Sequence, residues 1–448
     1  MSQKHFLHFG CWNKGENHYI SGETKRETQD NPNVASNLTN VMRKLNVVTE
    51  EINPEFIIVA GDNYYPNKIT MNDGKGRESK IKLFDEKDMK SGFGGLPKNV
   101  EIDVIMGNHD YETNLLVTQE NRVETSCKIL KLEYDLEKQP NNNLNILVNK
   151  ARKFNDSTLI LMIDTTIYSD EDAPTVVNCY KLHPNFKTGM MTQNLTIDSI
   201  RENQANFMRN SILSNIDDSL KNIIIVGHHP ITVFKLLKNE GVKLVDEPGR
   251  PLVDALYKNV FKVLNDMDKH MNYYYLCADL HQYQIGNISI YPQGSSEKML
   301  IKQYTVGTGG AEQDPFPFDK SDKSMLVEKR DSLEPLFKTN DITYNVDYLM
   351  TPEELEISRS IYGFLQCTGV GDNLLFKFID VDGNRYEERN PSEGLRLLSE
   401  QQGGRRKTKK HKKKHKKYRK TLKRKKVIKS RKIVRRNRKK MRNPQTRK

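Results

Sequence analysis

No apolar run in the sequence comes near the about 18 residues that a helix needs to cross a bilayer. The opening, MSQKHFLHFG, lacks the charged, apolar and small-residue zones of a secretory signal, so an intracellular protein of the cytoplasm or nucleus is expected. Cysteine is scarce: Cys11, Cys127, Cys179, Cys277 and Cys367 are odd in number and scattered, with no CxxC pair. That pattern suggests neither a disulfide framework nor a thiolate zinc knuckle, and it fits a reducing compartment. There is no GxxxxGK[ST], no HExxH and no cysteine followed by arginine six positions on. These absences argue against a P-loop, a zincin and a cysteine-phosphatase loop. Nor does any period of about 20 to 50 residues recur, which disfavours a repeat array. Acidic residues are missing from Arg405–Lys448, which holds 27 of the 72 Lys+Arg. Met1–Gly404 then has 45 basic and 58 acidic residues, a net of −13 against +27, so the overall +14 sums two opposite objects.

At 448 residues the chain can hold one large domain or two modest ones. His5 to Phe9 is short and apolar-rich and breaks at Gly10, as a buried strand does at a loop. Val34, Leu38, Val41, Leu45 and Val48 recur at intervals of four and three, on one face of a helix that Asn53-Pro54 stops. Further apolar runs end in polar residues: Phe56 to Ala60 before Gly61-Asp62, Ile102 to Met106 before Gly107-Asn108, and Leu159 to Ile163 before Asp164. Ile223 to Val226 precedes Gly227-His228, and Tyr273 to Leu276 precedes Cys277-Ala278-Asp279. With helices expected at Gln204 to Ser214 and Leu252 to Met267, this grammar predicts a layered α/β fold whose strand ends converge on one crevice. Tyr362 to Gln366 and Leu374 to Ile379 read as two last strands joined by a turn. Residues 312–361 read as a polar insertion or lid.

Four strand-end motifs carry chemistry: Gly61-Asp62-Asn63-Tyr64-Tyr65, Gly107-Asn108-His109-Asp110-Tyr111, Gly227-His228-His229-Pro230 and Cys277-Ala278-Asp279-Leu280-His281. Singly, each admits a bland role as a cap, a loop closure or a hydrogen-bonded core histidine. Together they supply imidazoles, carboxylates, amides and phenols, the inventory of a two-metal site.

In this order the motifs resemble those of the calcineurin-like metallophosphoesterases, and in detail the purple acid phosphatase branch. GDNYY is similar to that branch's GDNxY, GNHDY to its GNHD and VGHHP to its GHxP. ILMIDTTIY, NQANFMRNSIL and YTVGTGGAEQ extend the resemblance, which covers His5 to Gly310. The resemblance implies a four-layer α/β/β/α sandwich holding two metal ions drawn from iron, zinc or manganese, and a metal-bound hydroxide that attacks a phosphoester. By the same resemblance, Asp62 would bridge the two ions, Tyr65 and His281 would hold the first, and Asn108 and His228 the second. His109 would protonate the leaving oxygen, and His229 would face the phosphate.

Two ligand positions depart from the family pattern. GDxG aligns with Gly10-Cys11-Trp12-Asn13, so Cys11 replaces an aspartate on the first metal, and GHxH aligns with Ala278-Asp279-Leu280-His281, so Asp279 replaces a histidine on the second. A thiolate at Cys11 would tilt the first site toward zinc, and Asp279 would close the second with a hard oxygen. Alternatively, Cys11 is a small buried hydrophobe and Asp279 a turn residue. Asn13, where the motif has its second glycine, tolerates a positive φ.

The expected organisation is therefore a catalytic body over 1–390, a linker over 391–404 and a disordered basic tail over 405–448. The tail is too charged to build a core and suits nucleic acid or another polyanion. Its composition is also similar to tails of large DNA virus proteins, which implies a place in a virion. An intramolecular alternative has the tail covering the acidic body. The function expected is metal-dependent hydrolysis of phosphomonoesters. The alternative is a catalytically impaired scaffold of the same fold, structural or associated with nucleic acid.

Overall fold

The computed structural model describes residues 3–13, 34–72, 78–112, 114–117, 122–125, 127, 143–147, 149–182, 195–237, 241–245, 248–293, 298–311, 314, 337–339, 341–349, 362–388 and 395–397. All of them lie in the first of the two units into which the chain divides, Met1–Leu398. The expected tail and the rest of the 312–361 insertion lie outside the described residues.

The strands in chain order are β1 (Lys4–Phe9), β2 (Phe56–Ala60), β3 (Asn67–Asn72), β4 (Glu78–Phe84), β5 (Glu101–Ile105), β6 (Asn114–Val117), β7 (Arg122–Thr125), β8 (Leu144–Leu147), β9 (Lys150–Asn155), β10 (Thr158–Met162) and β11 (Asn222–Val226). There follow β12 (Val233–Leu237), β13 (Gly241–Val245), β14 (Asn272–Cys277), β15 (Tyr283–Pro292), β16 (Met299–Val306), β17 (Phe337–Lys338), β18 (Ile342–Leu349), β19 (Gly363–Val370), β20 (Asn373–Asp380), β21 (Arg385–Glu388) and β22 (Leu395–Leu397). Two eight-stranded mixed sheets result, in the orders β22-β21-β20-β19-β1-β2-β5-β8 and β17-β18-β15-β16-β14-β11-β10-β9. A four-stranded sheet, β3-β4-β6-β7, and the hairpin β12-β13 stand beside them.

The runs FIIVA of β2, LILM of β10 and IIIV of β11 are continuously apolar because both of their faces are covered. In β2, Ile57 and Val59 join the cluster that holds Val41, Leu45 and Val48 of the helix Val34–Ile52. Phe56, Ile58 and Ala60 point the other way, into a cluster shared with Ile160, Met162, Ile224, Val226 and Leu276 of the second sheet. The same alternation holds in β11, whose Ile223 and Ile225 pack with Met208 and Ile212 of the helix Ile197–Asn215. Helix, sheet, sheet and helix are thus stacked, the α/β/β/α sandwich that the family resemblance implies.

One expectation needs correction. Cys127 and Cys179 form a disulfide with Cα atoms 5.5 Å apart, so the scattered cysteines do contain a pair, and cysteine usage no longer argues for a reducing compartment. Within the 312–361 stretch, β18 pairs antiparallel with β15, one strand in from the edge of the second sheet. The last strand, β22, pairs with β21 inside the stretch expected to be linker.

His8 of β1 is fully buried between the sheets, with Nε2 3.3 Å from the carbonyl oxygen of Cys277 and Nδ1 without a hydrogen-bond partner. Burial lowers its pKa to about 4. An unfolded imidazole titrates near 6.5, so the unfolded chain takes up a proton in this window that the folded chain refuses. Stability should accordingly fall by on the order of 3 kcal/mol as pH drops from about 6.5 to 4. Urea denaturation across that range should show a shallower loss in His8→Asn, and parallel curves would reject the assignment.

Candidate metal centre

The crevice lies at the carboxyl ends of β1, β2, β5, β11 and β14, where the chain turns sharply and aims short polar side chains at one point. Three of the donors sit on left-handed backbone: Cys11 at φ 51°, Asp62 at φ 53° and Asp279 at φ 47°. Such conformations cost about 1–3 kcal/mol each and persist only where the surroundings enforce them. Asn13 is also left-handed, at φ 32°, as the sequence suggested for the position where the motif carries glycine. Its side-chain amide donates to the carbonyls of Asn63 and Met89, at 2.9 and 3.1 Å. Gly107 has no room for a side chain, since a Cβ there would lie 2.4 Å from the Asp62 amide nitrogen.

Asp62 is the hub. Its Oδ2 accepts from the Tyr65 hydroxyl at 2.6 Å, and its Oδ1 accepts from the His109 backbone N–H at 3.1 Å. With that proton committed to Asp62, the Tyr65 oxygen is the acceptor for His281 Nε2, 2.7 Å away. Cys11 Sγ lies 4.0 Å from Asp62 Oδ2 and 3.5 Å from the Asp279 carbonyl oxygen. Burial alone would raise the Asp62 carboxyl, yet the imidazoles of His228 and His109 hold it well below the usual carboxylate range. Burial, followed by the charges of Asp62 and Asp279, pushes the Cys11 thiol well up, so only a cation could draw off its proton.

His228 tests whether the donor set fits a metal. Its Nδ1 is 2.7 Å from the Ala60 carbonyl oxygen, which can only accept, so Nδ1 carries a proton. Its Nε2 then faces Asp62 Oδ1 at 3.2 Å, Asn108 Oδ1 at 3.2 Å and Asp279 Oδ1 at 3.7 Å. A neutral imidazole would meet those oxygens with a lone pair, so the spot calls for positive charge. A second proton meets that need: burial would lower the pKa, but Asp62 and Asp279 push it up to about 9. A divalent cation would meet it equally, and donors of Cys11, Asp62 and His228, and of His228, His229 and Asp279, each gather within 4.8 Å. The residues fit a metal.

His109 stands at the mouth, about one-third exposed, with Nε2 3.9 Å from Asp62 Oδ2 and Nδ1 2.9 Å from Glu112 Oε1. Burial would lower its pKa, but Asp62 and Glu112 raise it above the ordinary value. All nine residues singled out in the sequence, Cys11, Asp62, Tyr65, Asn108, His109, His228, His229, Asp279 and His281, thus share one crevice.

Residues outside the nine hold these in place. Asp110 takes the Asn63 N–H on Oδ1 at 2.9 Å and the Asn63 amide on Oδ2 at 2.7 Å, locking the Gly61–Tyr65 motif to the Gly107–Tyr111 motif. Thr165 contacts both His228 and His229. The usable signal was the polar pair Asp164-Thr165 directly after an apolar strand, the same pattern that marked the other motifs.

The family described as calcineurin-like phosphoesterase matches residues 4–263. No curated protein matches. Among solved structures, the chain is similar to GAP50, the anchor in the inner membrane complex of Plasmodium, at 12% identity and TM-score 0.43 over 89% of each chain. It is also similar to PhoD, at 11% identity and TM-score 0.45 over 90% of this chain and 73% of that one. A novel phosphatase from Mycoplasma pneumoniae aligns at 11% identity and TM-score 0.29 over 88% and 92%.

Proposed function

The chain belongs to the calcineurin-like phosphoesterase family, and on that premise we propose that it is a metal-dependent phosphomonoesterase with a dinuclear centre. Cys11, Asp62, Tyr65 and His281 would hold one ion, and Asp62, Asn108, His228 and Asp279 the other. The observation that carries this reading is the convergence of three oxygens on His228 Nε2 while Nδ1 is committed to Ala60. Metal ions bound there would polarise a phosphoryl oxygen and bring the pKa of water toward neutrality. Zinc is favoured where Cys11 contributes, because a thiolate is a soft donor.

The chain's own groups supply the rest. His109, at the crevice mouth 2.9 Å from Glu112 and with its pKa raised by Asp62 and Glu112, would supply the protonated imidazole that a departing alkoxide requires. Tyr65 packs against it with ring centroids 4.8 Å apart and limits its swing. For the tail, 27 Lys+Arg and no acidic residue support binding to nucleic acid or another polyanion through phosphate neutralisation. The location we propose is intracellular or in a virion.

The test is hydrolysis of an aryl phosphate after loading with zinc, manganese or iron, with metal content measured in parallel. Turnover with about two ions per chain is expected. Folded protein that binds no metal would favour the scaffold reading.

A further inference from the structure

The hydroxyl of Thr165 has one proton to donate and two lone pairs. Both lone pairs are occupied: the backbone N–H of His228 donates to Oγ1 at 3.1 Å and that of His229 at 2.9 Å. Backbone amides cannot accept, so the hydroxyl proton must go elsewhere, and His229 Nδ1 lies 3.0 Å from the same oxygen. An Nδ1–H is ruled out, since it would present a third donor to an oxygen with no lone pair left.

We propose that Thr165 fixes His229 in the Nε2–H tautomer, which makes His229 a hydrogen-bond donor to a phosphate oxygen and removes it from the metal ligands. This rests on the phosphoesterase reading for its substrate but not for the tautomer. It decides a choice that proximity leaves open, because a ring nitrogen of His229 lies within 4.8 Å of donors on His228 and Asp279 and could otherwise be counted as a ligand. A neutral imidazole has a single lone pair, and here Thr165 uses it. The ring is 6% exposed, and it is neutral, because an imidazolium would carry a proton on Nδ1 that the filled Thr165 oxygen cannot accept.

Thr165 is held by what surrounds it. Asp164 Oδ2 accepts from the hydroxyls of Tyr111 and Tyr180, and its Oδ1 accepts from the Thr166 N–H at 2.9 Å. The Gln204 side chain clamps the Asp164 backbone, accepting from its N–H at 3.0 Å and donating to its carbonyl at 3.0 Å. On the other side, the Tyr275 hydroxyl donates to the His229 carbonyl at 2.6 Å. Thr165 is therefore a positioning residue, its backbone fixed through Asp164 and its oxygen held by the His228 and His229 amides.

Ring-nitrogen NMR of the full chain with labelled histidine tests this, His229 being assigned by its loss in His229→Gln. The expected pattern is a protonated Nε2 and an unprotonated Nδ1, unchanged when zinc is added and retained in Thr165→Ser. Thr165→Val should release the tautomer, and its folding is checked separately by thermal melting. If it does not fold, the wild-type and serine spectra still decide. Metal content of His229→Gln should equal wild type, while inhibition by inorganic phosphate should weaken ~10-fold or more. A protonated Nδ1, or an Nε2 that loses its proton on zinc binding, overturns the proposal. If the chain hydrolyses no phosphoester and phosphate does not bind, the spectrum still reads the tautomer, and only the role toward phosphate falls.

Discussion

Asp62→Asn should lower the metal content from about two ions per chain to one or none and slow hydrolysis ~10^3-fold, a loss of several kcal/mol of charge stabilisation. Asp62 is the carboxylate shared by both proposed ligand sets, and the amide removes its charge while keeping its shape. Asparagine is the informative replacement because the position is left-handed, at φ 53°, which asparagine tolerates and alanine resists. Its side-chain oxygen can still accept the His109 N–H that Asp62 accepts at 3.1 Å. The fold should survive, so elemental analysis and phosphate release report the site and not unfolding. Wild-type metal content in a folded Asp62→Asn protein would remove Asp62 from its bridging role.

Replacing His109 should separate substrates by leaving group. With an alkyl phosphate, His109→Gln should lose ~10^2–10^4-fold in kcat, the usual contribution of a positioned acid. A nitrophenyl phosphate, whose leaving oxygen needs no proton, should lose far less. Metal content should be unchanged, because the His109 side chain contacts Asp62 and Glu112 and lies outside both proposed ligand sets. Equal losses on the two substrates would assign His109 to phosphate binding in place of proton donation.

The strands were legible in the sequence where burial on both faces made the apolar run continuous and a polar residue marked its end. β2, β11 and β14 fall within one residue of the expected runs, and the residues just beyond them line the crevice. The same pattern combined with helical periodicity pointed only to a layered α/β fold; the α/β/β/α stacking was what the family resemblance implied. Contacts between distant segments were not legible. Cys127 and Cys179 are 52 positions apart in no recognisable motif, and only the fold brings them together. β18 lies in a polar stretch because it is the penultimate strand of its sheet, paired with β15 on one side and the two-residue β17 on the other, so no long apolar run announced it. Thr165 escaped for another reason: its importance lies in how many protons meet one oxygen, a count that needs three-dimensional distances.

The left-handed turns at Cys11, Asp62 and Asp279 have a further consequence, in conformational entropy. A donor on a short side chain has one or two torsions, so once the backbone is bent its position is nearly settled before any ligand arrives. Long side chains reaching the same point from unstrained backbone would surrender up to ~2 kcal/mol of rotamer freedom each on binding. Here that ordering occurs during folding, where two packed sheets enforce it, and loading the crevice has little left to freeze. At such a site the backbone sets where a donor atom stands, and the choice of side chain at Cys11 and Asp279 is left to set which cation it would prefer.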